Sequence, residues 1–493
     1  MANYSEYVAQ MQRIADIRNA AAVLQWDQET YLPPKGAHFR GQQLSTLSEL
    51  AHGQFSSEHL GNLLNELLSS TTLDETQRRN VELSKEDYDK NRKYSASLVR
   101  RLSDASNTAF HSWIEARRQN DFSLFAPALT EMVALKKEEA DVLGWTGHPY
   151  DALLNEYEKG ASTQQLDAVF TDLLPQLKGL LDELLAQPAA DDSFLKQQYP
   201  ADQQWAWGLH LLRQLHFDEG AGRQDRSEHP FTTSFSPQDV RITTRIDEGD
   251  FGNMTWSTIH ELGHALYEQG LPAEQYGLPL GEAASLSIHE SQSRLWENNV
   301  GRSRAFWQHW LPELRNWFPA QLEGVDADHF FRAINKVQPS LIRTEADEVT
   351  YHFHVYIRYS LEKALMDGSL QVVDIPTWWR ESYQEWLGVT PPDDKTGALQ
   401  DVHWSHGSFG YFPTYSLGSL YAAQFFATAG EAMPGLEEEI ARGNTAGLLG
   451  WLRREIHAHG RRYSSDALCR KISAQSLSSA YFIGYVRQKY SLG

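Results

Sequence analysis

The sequence predicts a mainly α-helical protein that forms a single domain over residues 1–493 and contains one small β-sheet. Apolar residues recur at the spacing of amphipathic helices through most of the first half of the chain. Residues 229–247 break this pattern, because they alternate and are rich in Thr, Phe, Val and Ile, which favours a strand or hairpin. No segment is rich enough in Pro, Gly or Ser to act as a linker between domains.

Turn residues separate the predicted helices. Two prolines at 33–34 end the first helical region, and Gly-His-Pro at 147–149 marks a later turn. The apolar pattern predicts helices over residues 6–25, 40–68, 74–120, 126–144, 163–187 and 201–216. A further stretch, 391–417, is rich in Gly, His, Tyr and Trp, and we expect a long functional loop there.

The charge and the single cysteine restrict the class of protein. Lys and Arg number 44 against 65 Asp and Glu, for a formal charge of -21, which argues against non-specific nucleic-acid binding and against an anionic membrane surface. No run of about 18 apolar residues predicts a transmembrane span, and the N-terminal segment lacks the apolar block of a signal peptide. Cys469 is the one cysteine, which fits a reducing compartment, so we predict a cytoplasmic protein.

The most informative pentapeptide is His260-Glu261-Leu262-Gly263-His264. We expect it on a helix over 255–269, with Asn253 or Thr255 as the N-cap. Residues four apart share one face of a helix, so both imidazoles can bind one ion at about 2 Å. Glu261 is roughly a quarter turn away, where its carboxylate can take a proton from a metal-activated water.

A third ligand is predicted on the next helical segment, which ends near Gly301. A loop of about fifteen residues and an antiparallel helix would bring Glu290 to the same ion. Two His, one carboxylate and an open position form the ligand set of a catalytic zinc site. His289 is adjacent to Glu290 but should point elsewhere, and we interpret it as a supporting or structural residue.

The ligand set alone leaves iron open. Two His and one carboxylate also bind iron in non-haem oxygenases. A di-iron bundle is a second alternative, because Glu-x-x-His occurs at Glu261/His264 and again at Glu49/His52. A di-iron site of that kind would give His260 no role as a ligand, so the pattern favours zinc.

Six further motifs follow one another along the chain. They are Trp26-Asp27-Gln28-Glu29 before 33–34, His229-Pro230-Phe231, Asp239-Val240-Arg241-Ile242-Thr243, His289-Glu290-Ser291-Gln292, Ile342-Arg343-Thr344-Glu345-Ala346-Asp347 and Gly397-Ala398-Leu399-Gln400-Asp401-Val402-His403-Trp404. With the pentapeptide, they make the whole chain resemble the M32 metallocarboxypeptidases, the carboxypeptidase Taq family. The resemblance implies a helical catalytic unit with a deep central groove, zinc that cobalt can replace, and a homodimer. It also implies the removal of C-terminal residues one at a time, with broad specificity, from peptides that have a free C-terminus.

Two arginines are candidates for binding the substrate's C-terminal carboxylate. A guanidinium can contact a carboxylate at two points, and we assign this task to Arg343. The alternative for Arg343 is a structural salt bridge with Asp347, four residues further on. Arg241 is the second candidate, with Asp239 as its alternative partner.

The 391–417 segment carries candidates for stabilising the oxyanion. Related zinc peptidases use a Tyr or His on a Gly-rich loop as the donor, which is typically worth several kcal/mol. Tyr415 or Tyr411 and His403 or His406 are the candidates, and the sequence does not choose within either pair. The alternative for each is packing within an aromatic loop.

Arg294 departs from the pattern of other zinc peptidases, many of which have an acidic residue four positions after the Glu ligand. The carboxylate that orients a ligand histidine must then come from elsewhere, and Glu297 and Asp347 are the candidates.

Two rival functions stay open at this point. One is an endopeptidase or dipeptidyl carboxypeptidase on the same scaffold, and the other is a non-catalytic helical binding protein.

Overall fold

The structure is a computed structural model that describes residues 4–491, and α-helices dominate it, as the sequence predicts. The helices before the sheet are α1 (Tyr4–Thr30), α2 (Ala37–Phe55), α3 (Glu58–Ser69), α4 (Glu75–Asn91), α5 (Ala96–Gln119), α6 (Ala126–Leu143), α7 (Pro149–Tyr157), α8 (Thr163–Leu185) and α9 (Ala201–Gln214). Those after the sheet are α10 (Phe251–Glu268), α11 (Leu286–Arg294), α12 (Arg304–Trp317), α13 (Ala327–Ile334), α14 (Tyr351–Asp367), α15 (Ile375–Leu387), α16 (Pro413–Ala432), α17 (Leu436–Ala441), α18 (Ala446–Glu455), α19 (Ser465–Ser473) and α20 (Ser479–Lys489). A π-helical turn, Leu295–Val300, continues α11. None of the helices in the described part combines the length and apolar character that a bilayer crossing requires.

Two predicted helical segments each divide into two helices. Residues 40–68 hold most of α2 and nearly all of α3, and residues 74–120 hold α4 and α5. Ser57 and Ser95 begin the second helix of each pair, where their hydroxyls accept hydrogen bonds from backbone N–H groups of the first turn. The serine side chain satisfies a donor that a helix start leaves unpaired, so the break occurs there although the apolar spacing continues across it.

The sheet has three strands, β1 (Gly222–Arg226), β2 (Thr232–Ser236) and β3 (Asp239–Thr244), in the order β1-β3-β2. The antiparallel pair β2–β3 is the hairpin predicted over residues 229–247. Strand β1 runs parallel to β3 and was not predicted, because its sequence is polar and does not alternate. Its Gln224 and Asp225 are nevertheless buried, so tertiary packing decides this strand.

The apolar core has two parts. The larger cluster joins helices α5 to α20 with the sheet, and a smaller one, with Tyr7, Leu64 and Val81 among its members, lies between α1, α3 and α4. Asn80 in α4 connects the smaller part to the loop after α10, since it donates to Gln275 Oε1 at 2.8 Å and accepts from the Leu280 N–H at 3.0 Å. The single domain over 1–493 stays a prediction.

The helix that carries the metal motif begins one turn earlier than predicted. Asp250 is its N-cap, and its carboxylate accepts the Gly252 N–H at 2.8 Å. Asn253 and Thr255 lie inside the helix, so the predicted caps are wrong. An aspartate that follows a glycine turn satisfies a free N–H of the first turn, which explains the earlier start.

Candidate active site

Helices α10 and α11 approach each other closely at Gly263. A Cβ atom on this residue would lie 2.5 Å from the carbonyl oxygen of Gln292, a distance that real Cβ atoms do not show. Glycine is therefore required for this contact. Because Gly263 lies within the metal motif and Gln292 follows Glu290 by two residues, the close packing brings the predicted ligands onto one site.

The structure brings together the three predicted metal ligands. The Glu290 Oε2 atom lies 3.6 Å from His260 Nε2 and 3.4 Å from His264 Nε2, and the ligand atoms of all three residues lie within 4.8 Å of one another. Two ligands bound to zinc at about 2.1 Å with tetrahedral angles would be roughly 3.4 Å apart. The donor set therefore fits a four-coordinate ion with one position left for water or substrate.

Glu297 orients the first ligand histidine. Its Oε2 atom lies 2.8 Å from His260 Nδ1, and Arg294 and Arg302 also contact this carboxylate, at 3.2 and 3.6 Å. Although burial opposes ionisation, Arg294 and His260 lower the pKa of Glu297 to about 2. The ionised carboxylate accepts the Nδ1 proton and so directs Nε2 of His260 toward Glu290, where it can bind a cation.

The other candidate for this orienting task, Asp347, makes different contacts. Its carboxylate accepts the backbone N–H groups of Val349 and Thr350, both at 2.9 Å, just before α14 begins. It also accepts the Gln338 N–H at 3.1 Å. Asp347 thus stabilises local backbone, and no contact joins it to a ligand histidine within residues 4–491.

His289 and Glu268 orient the second ligand histidine. The Nδ1 atoms of His264 and His289 lie 2.5 Å apart, and His289 Nε2 lies 2.7 Å from Glu268 Oε1. A carboxylate only accepts, so His289 donates from Nε2 and its Nδ1 accepts the Nδ1 proton of His264. Burial lowers the pKa of His264 to about 4, so its ring is neutral with Nε2 free.

Strand β2 holds Glu261 beside the ligands. The Thr232 hydroxyl donates to Glu261 Oε2 at 2.6 Å, and the Glu261 side chain is buried. Burial raises the pKa of Glu261 above its ordinary value. Because Thr232 occupies Oε2, and no other protein donor to this carboxylate occurs in the described chain, Oε1 is the atom that can accept a further proton.

Helix α16 brings aromatic side chains to the same place. A Cβ atom on Gly418 would lie 2.5 Å from Glu290 Cγ, so α16 lies directly against the third ligand. Tyr415 is three residues earlier on the same helical face. Its hydroxyl lies 3.3 Å from His403 Nε2, and its ring centroid lies 5.3 Å from that of Tyr411.

The predicted loop 391–417 is therefore shorter than expected, because α16 begins at Pro413, a residue suited to the first turn of a helix. Burial lowers the pKa of His403 to about 3 and raises that of Tyr415, so both side chains are neutral. His406 lies apart from this group. It is exposed and its ring stacks on Phe110 at a centroid distance of 5.0 Å.

Arg343 is buried beside the aromatic group and pairs with Asp401, not with Asp347. Its Nε and Nη2 atoms donate to Asp401 Oδ1 at 3.0 and 2.9 Å, and Nη1 donates to the Tyr351 hydroxyl at 3.0 Å. Arg358 donates to the other oxygen of Asp401 at 2.6 Å. Two guanidinium groups thus share one carboxylate, which leaves one positive charge in excess.

Arg241 lies on the other side of the sheet. It forms a two-point contact with Asp239, at 2.9 Å for both bonds, and packs over the ring of Trp26 at 4.4 Å. It is the cross-strand partner of Thr233, whereas the neighbouring Thr232 points toward Glu261. Successive side chains of a strand point to opposite faces, so Arg241 faces away from the metal ligands.

The sequence model of the carboxypeptidase Taq (M32) metallopeptidase family matches residues 6–490. The chain belongs to this family. It is 41% identical to thermostable carboxypeptidase 1 of Thermus thermophilus, over 99% of this chain and 98% of that protein. The solved M32 carboxypeptidase of Deinococcus radiodurans is 40% identical, with a TM-score of 0.97 over 99% of this chain and 98% of that one. A solved structure described as CHT is 59% identical, with a TM-score of 0.98 over 99% of both chains.

Several contacts in this M32 metallopeptidase were missed from the sequence. Glu268 could have been found, because it lies four residues after His264 on the same helical face. Asp401 belongs to the motif of residues 397–404, but nothing local indicates that it pairs with Arg343. Thr232 and Arg358 carry no sequence signal that links them to Glu261 or to Asp401.

Proposed function

We propose that this metallopeptidase is a zinc carboxypeptidase that removes single residues from the C-terminus of peptides, with broad specificity. The observation that supports this most is the convergence of His260 Nε2, His264 Nε2 and Glu290 Oε2, each side chain held by its own hydrogen-bond partner. Glu261 lies beside this donor set, and the excess positive charge at Arg343 provides a site for an anion.

The metal ligands in this proposal are His260, His264 and Glu290. A bound zinc ion would act as a Lewis acid that lowers the pKa of a water molecule and polarises the scissile carbonyl. Zinc is preferred to iron because Glu261 lies where a general base is required next to the ion, as in other peptidases with this pentapeptide. Cobalt is expected to substitute.

Glu261 acts as the general base in this proposal. Oε1 accepts a proton from the attacking water, while the Thr232 hydroxyl holds Oε2 in place. The same carboxyl group then donates that proton to the leaving amine. The burial of Glu261 makes its carboxylate more basic, which favours the first transfer.

We assign the stabilisation of the oxyanion to Tyr415. The phenol is neutral, lies on the face of α16 that contacts Glu290, and can donate a hydrogen bond. His403 contacts its hydroxyl and orients it, and Tyr411 packs beside the ring. His406 has no part in this proposal, because it stacks on Phe110 outside the group.

Arg343 binds the C-terminal carboxylate of the substrate in this proposal, and Arg241 does not. A short series of contacts links Arg343 to the metal ligands: it donates to Tyr351, Arg294 lies over the Tyr351 ring at 4.6 Å, and Arg294 donates to Glu290 at 2.7 Å. Arg343 is thus three contacts from Glu290, and this placement, together with the family resemblance, is the support for removal of one residue at a time. A homodimer is also proposed, from the family resemblance, and a cytoplasmic location, from the composition.

A time course with one unstructured peptide tests the proposal. The zinc-loaded protein is incubated with the peptide, and the products are followed by mass spectrometry. A ladder of products that shorten by one C-terminal residue is expected, and a chelator should stop it. Cleavage at internal bonds, or steps of two residues, would contradict the proposed specificity.

A further inference from the structure

Glu362 is a fully buried carboxylate in the middle of α14 that has no part in the metal site. Three groups donate hydrogen bonds to it. The indole Nε1 of Trp404 donates to Oε1 at 2.8 Å, and the backbone N–H of Gly410 and the hydroxyl of Tyr150 donate to Oε2 at 3.0 and 2.5 Å. Burying an ionisable group is costly unless it is hydrogen-bonded. The three hydrogen bonds to this buried carboxylate therefore indicate a specific structural role.

Two of these contacts lie at the two ends of one loop. Trp404 directly follows His403, and Gly410 directly precedes Tyr411. Gly410 has a φ of +97°, and a Cβ atom there would lie 2.7 Å from the carbonyl oxygen of Leu153, so the loop is pressed against α7 at this point. One carboxylate thus joins α14 to both ends of segment 404–410.

We propose that Glu362 is a positioning residue, whose two oxygens hold the ends of segment 404–410 so that His403, Tyr411 and Tyr415 face the substrate. The inference rests on the proposed function, because it assumes that this aromatic group acts in peptide hydrolysis. Glu362 touches none of the reacting atoms in this proposal. Its effect reaches the site only through the loop.

The Trp404 indole and the Gly410 backbone N–H can only donate, so the ionised form of Glu362 fits both loop contacts best, whereas the Tyr150 hydroxyl can also turn to accept a proton. A neutral carboxyl group is a weaker acceptor for both loop N–H groups than a carboxylate, and a proton directed at either of them would break that bond. Burial raises the pKa of Glu362 to about 7, while the contacts from Gly410, Tyr150 and Trp404 act in the opposite direction. The titratable groups that face it are Tyr150 and Tyr157 of α7 and Lys136 of α6, which is paired with Glu139. The loop should therefore be held less firmly below about pH 7.

Glu362→Gln tests the inference in the zinc-loaded protein. The glutamine amide N–H2 would face one of the donors, so at least one loop contact is lost. We expect kcat to fall by about tenfold at pH 8, the value of roughly one weakened transition-state hydrogen bond, with KM and zinc content unchanged. Tyr359→Phe is the matched control, because it removes a bond from a buried Tyr on the same helix to Asp167, away from the loop, and should leave kcat unchanged.

A spectroscopic measurement tests the tether, meaning the hydrogen bonds from segment 404–410 to ionised Glu362, separately from catalysis. With ¹⁵N-labelled tryptophan, the indole N–H signal of Trp404, assigned from Trp404→Phe, should shift with a midpoint near pH 7 in the wild type. The shift should be absent in Glu362→Gln. In Tyr150→Phe, the midpoint should move upward, because a donor that favours the ionised form is gone. This variant also serves if Glu362→Gln does not fold.

The outcomes distinguish the two proposals. An active wild type whose Glu362→Gln variant keeps its kcat overturns the positioning role of Glu362. An indole signal that does not titrate, in the wild type and in Tyr150→Phe, overturns the ionised tether. A wild type that hydrolyses no peptide, but shows the indole titration, contradicts the proposed function and leaves the tether supported.

Discussion

His260 and Glu297 are joined by a contact of 2.8 Å between Nδ1 and Oε2, which directs the free Nε2 atom toward Glu290. His264 is oriented differently, through His289 and then Glu268. Each ligand histidine is therefore held by its own carboxylate, one directly and one through a second imidazole. Both arrangements engage Nδ1 of the ligand ring and direct Nε2 toward Glu290.

Glu297→Gln should weaken zinc binding by about 10- to 100-fold, because the loss of a carboxylate that orients a ligand histidine has this effect in other metal sites. Competition with a chromophoric chelator measures the affinity. Asp347→Asn is the control, since this residue contacts nearby backbone and the Thr350 hydroxyl but no ligand histidine, and should leave zinc affinity unchanged. Equal affinities in Glu297→Gln and the wild type would show that the contact does not orient His260.

Glu290→Ala should lose zinc affinity more severely than Glu297→Gln, because it removes a ligand instead of a supporting residue. Metal content after dialysis, measured by mass spectrometry, should fall well below one ion per chain. Chelation of the wild type should abolish hydrolysis, and added zinc should restore it. A Glu290→Ala protein with full zinc content and a normal rate would disprove the assignment of the third ligand.

Glu261→Gln should lower turnover by at least about 100-fold, the low end for a lost general base, and should leave zinc bound. The glutamine keeps the shape and can accept the Thr232 hydroxyl hydrogen bond, but its amide takes up no proton. Turnover and metal content are measured on the same sample. A rate close to that of the wild type, with zinc bound, would rule out Glu261 as the base.

Arg343→Ala should lower kcat/KM for a free peptide by roughly ten- to a hundred-fold, the value of a charge-assisted hydrogen bond of about 1.5–3 kcal/mol. It should also narrow the difference in kcat/KM between a peptide with a free C-terminus and the same peptide amidated at its C-terminus. Arg343→Lys should keep only part of the wild-type kcat/KM, because an ammonium cannot make the planar two-point contact. Arg241→Ala is the control and should keep the preference for a free C-terminus over an amidated one. If Arg241→Ala removes this preference instead, Arg241 is the carboxylate-binding residue.

Asp401→Asn should destabilise the fold by about 3–5 kcal/mol, because it leaves two buried guanidinium groups, those of Arg343 and Arg358, without their shared anion. Burial opposes the ionisation of Asp401, but Arg358 and Arg343 hold its pKa well below the ordinary value. A depressed carboxyl pKa stabilises the fold above the pKa of the unfolded chain, about 3.9, and this stability is lost as the pH falls. Urea unfolding at several pH values should show a flatter acid dependence in Asp401→Asn than in the wild type.

The helical fold and the family were predictable because their signals are local. Helices follow from apolar spacing within one segment, and the family follows from short motifs that succeed one another along the chain. The hairpin of β2 and β3 was predicted for the same reason, since its residues alternate. Strand β1 was not, because its polar residues are buried only after the remainder of the chain has packed around them.

The sequence by itself determined which residues can meet at one ion, because the four-residue spacing of His260 and His264 places both on one face of a helix. It also restricted the third ligand to the next helix. Only the tertiary structure decided which contacts the remaining candidates make: Glu297 rather than Asp347 contacts His260, Arg343 pairs with Asp401, and His406 stacks on Phe110. These contacts join residues far apart in the chain, and close helix packing at glycines such as Gly263 sets them. Such packing depends on the shapes of distant surfaces, which no spacing within one segment records.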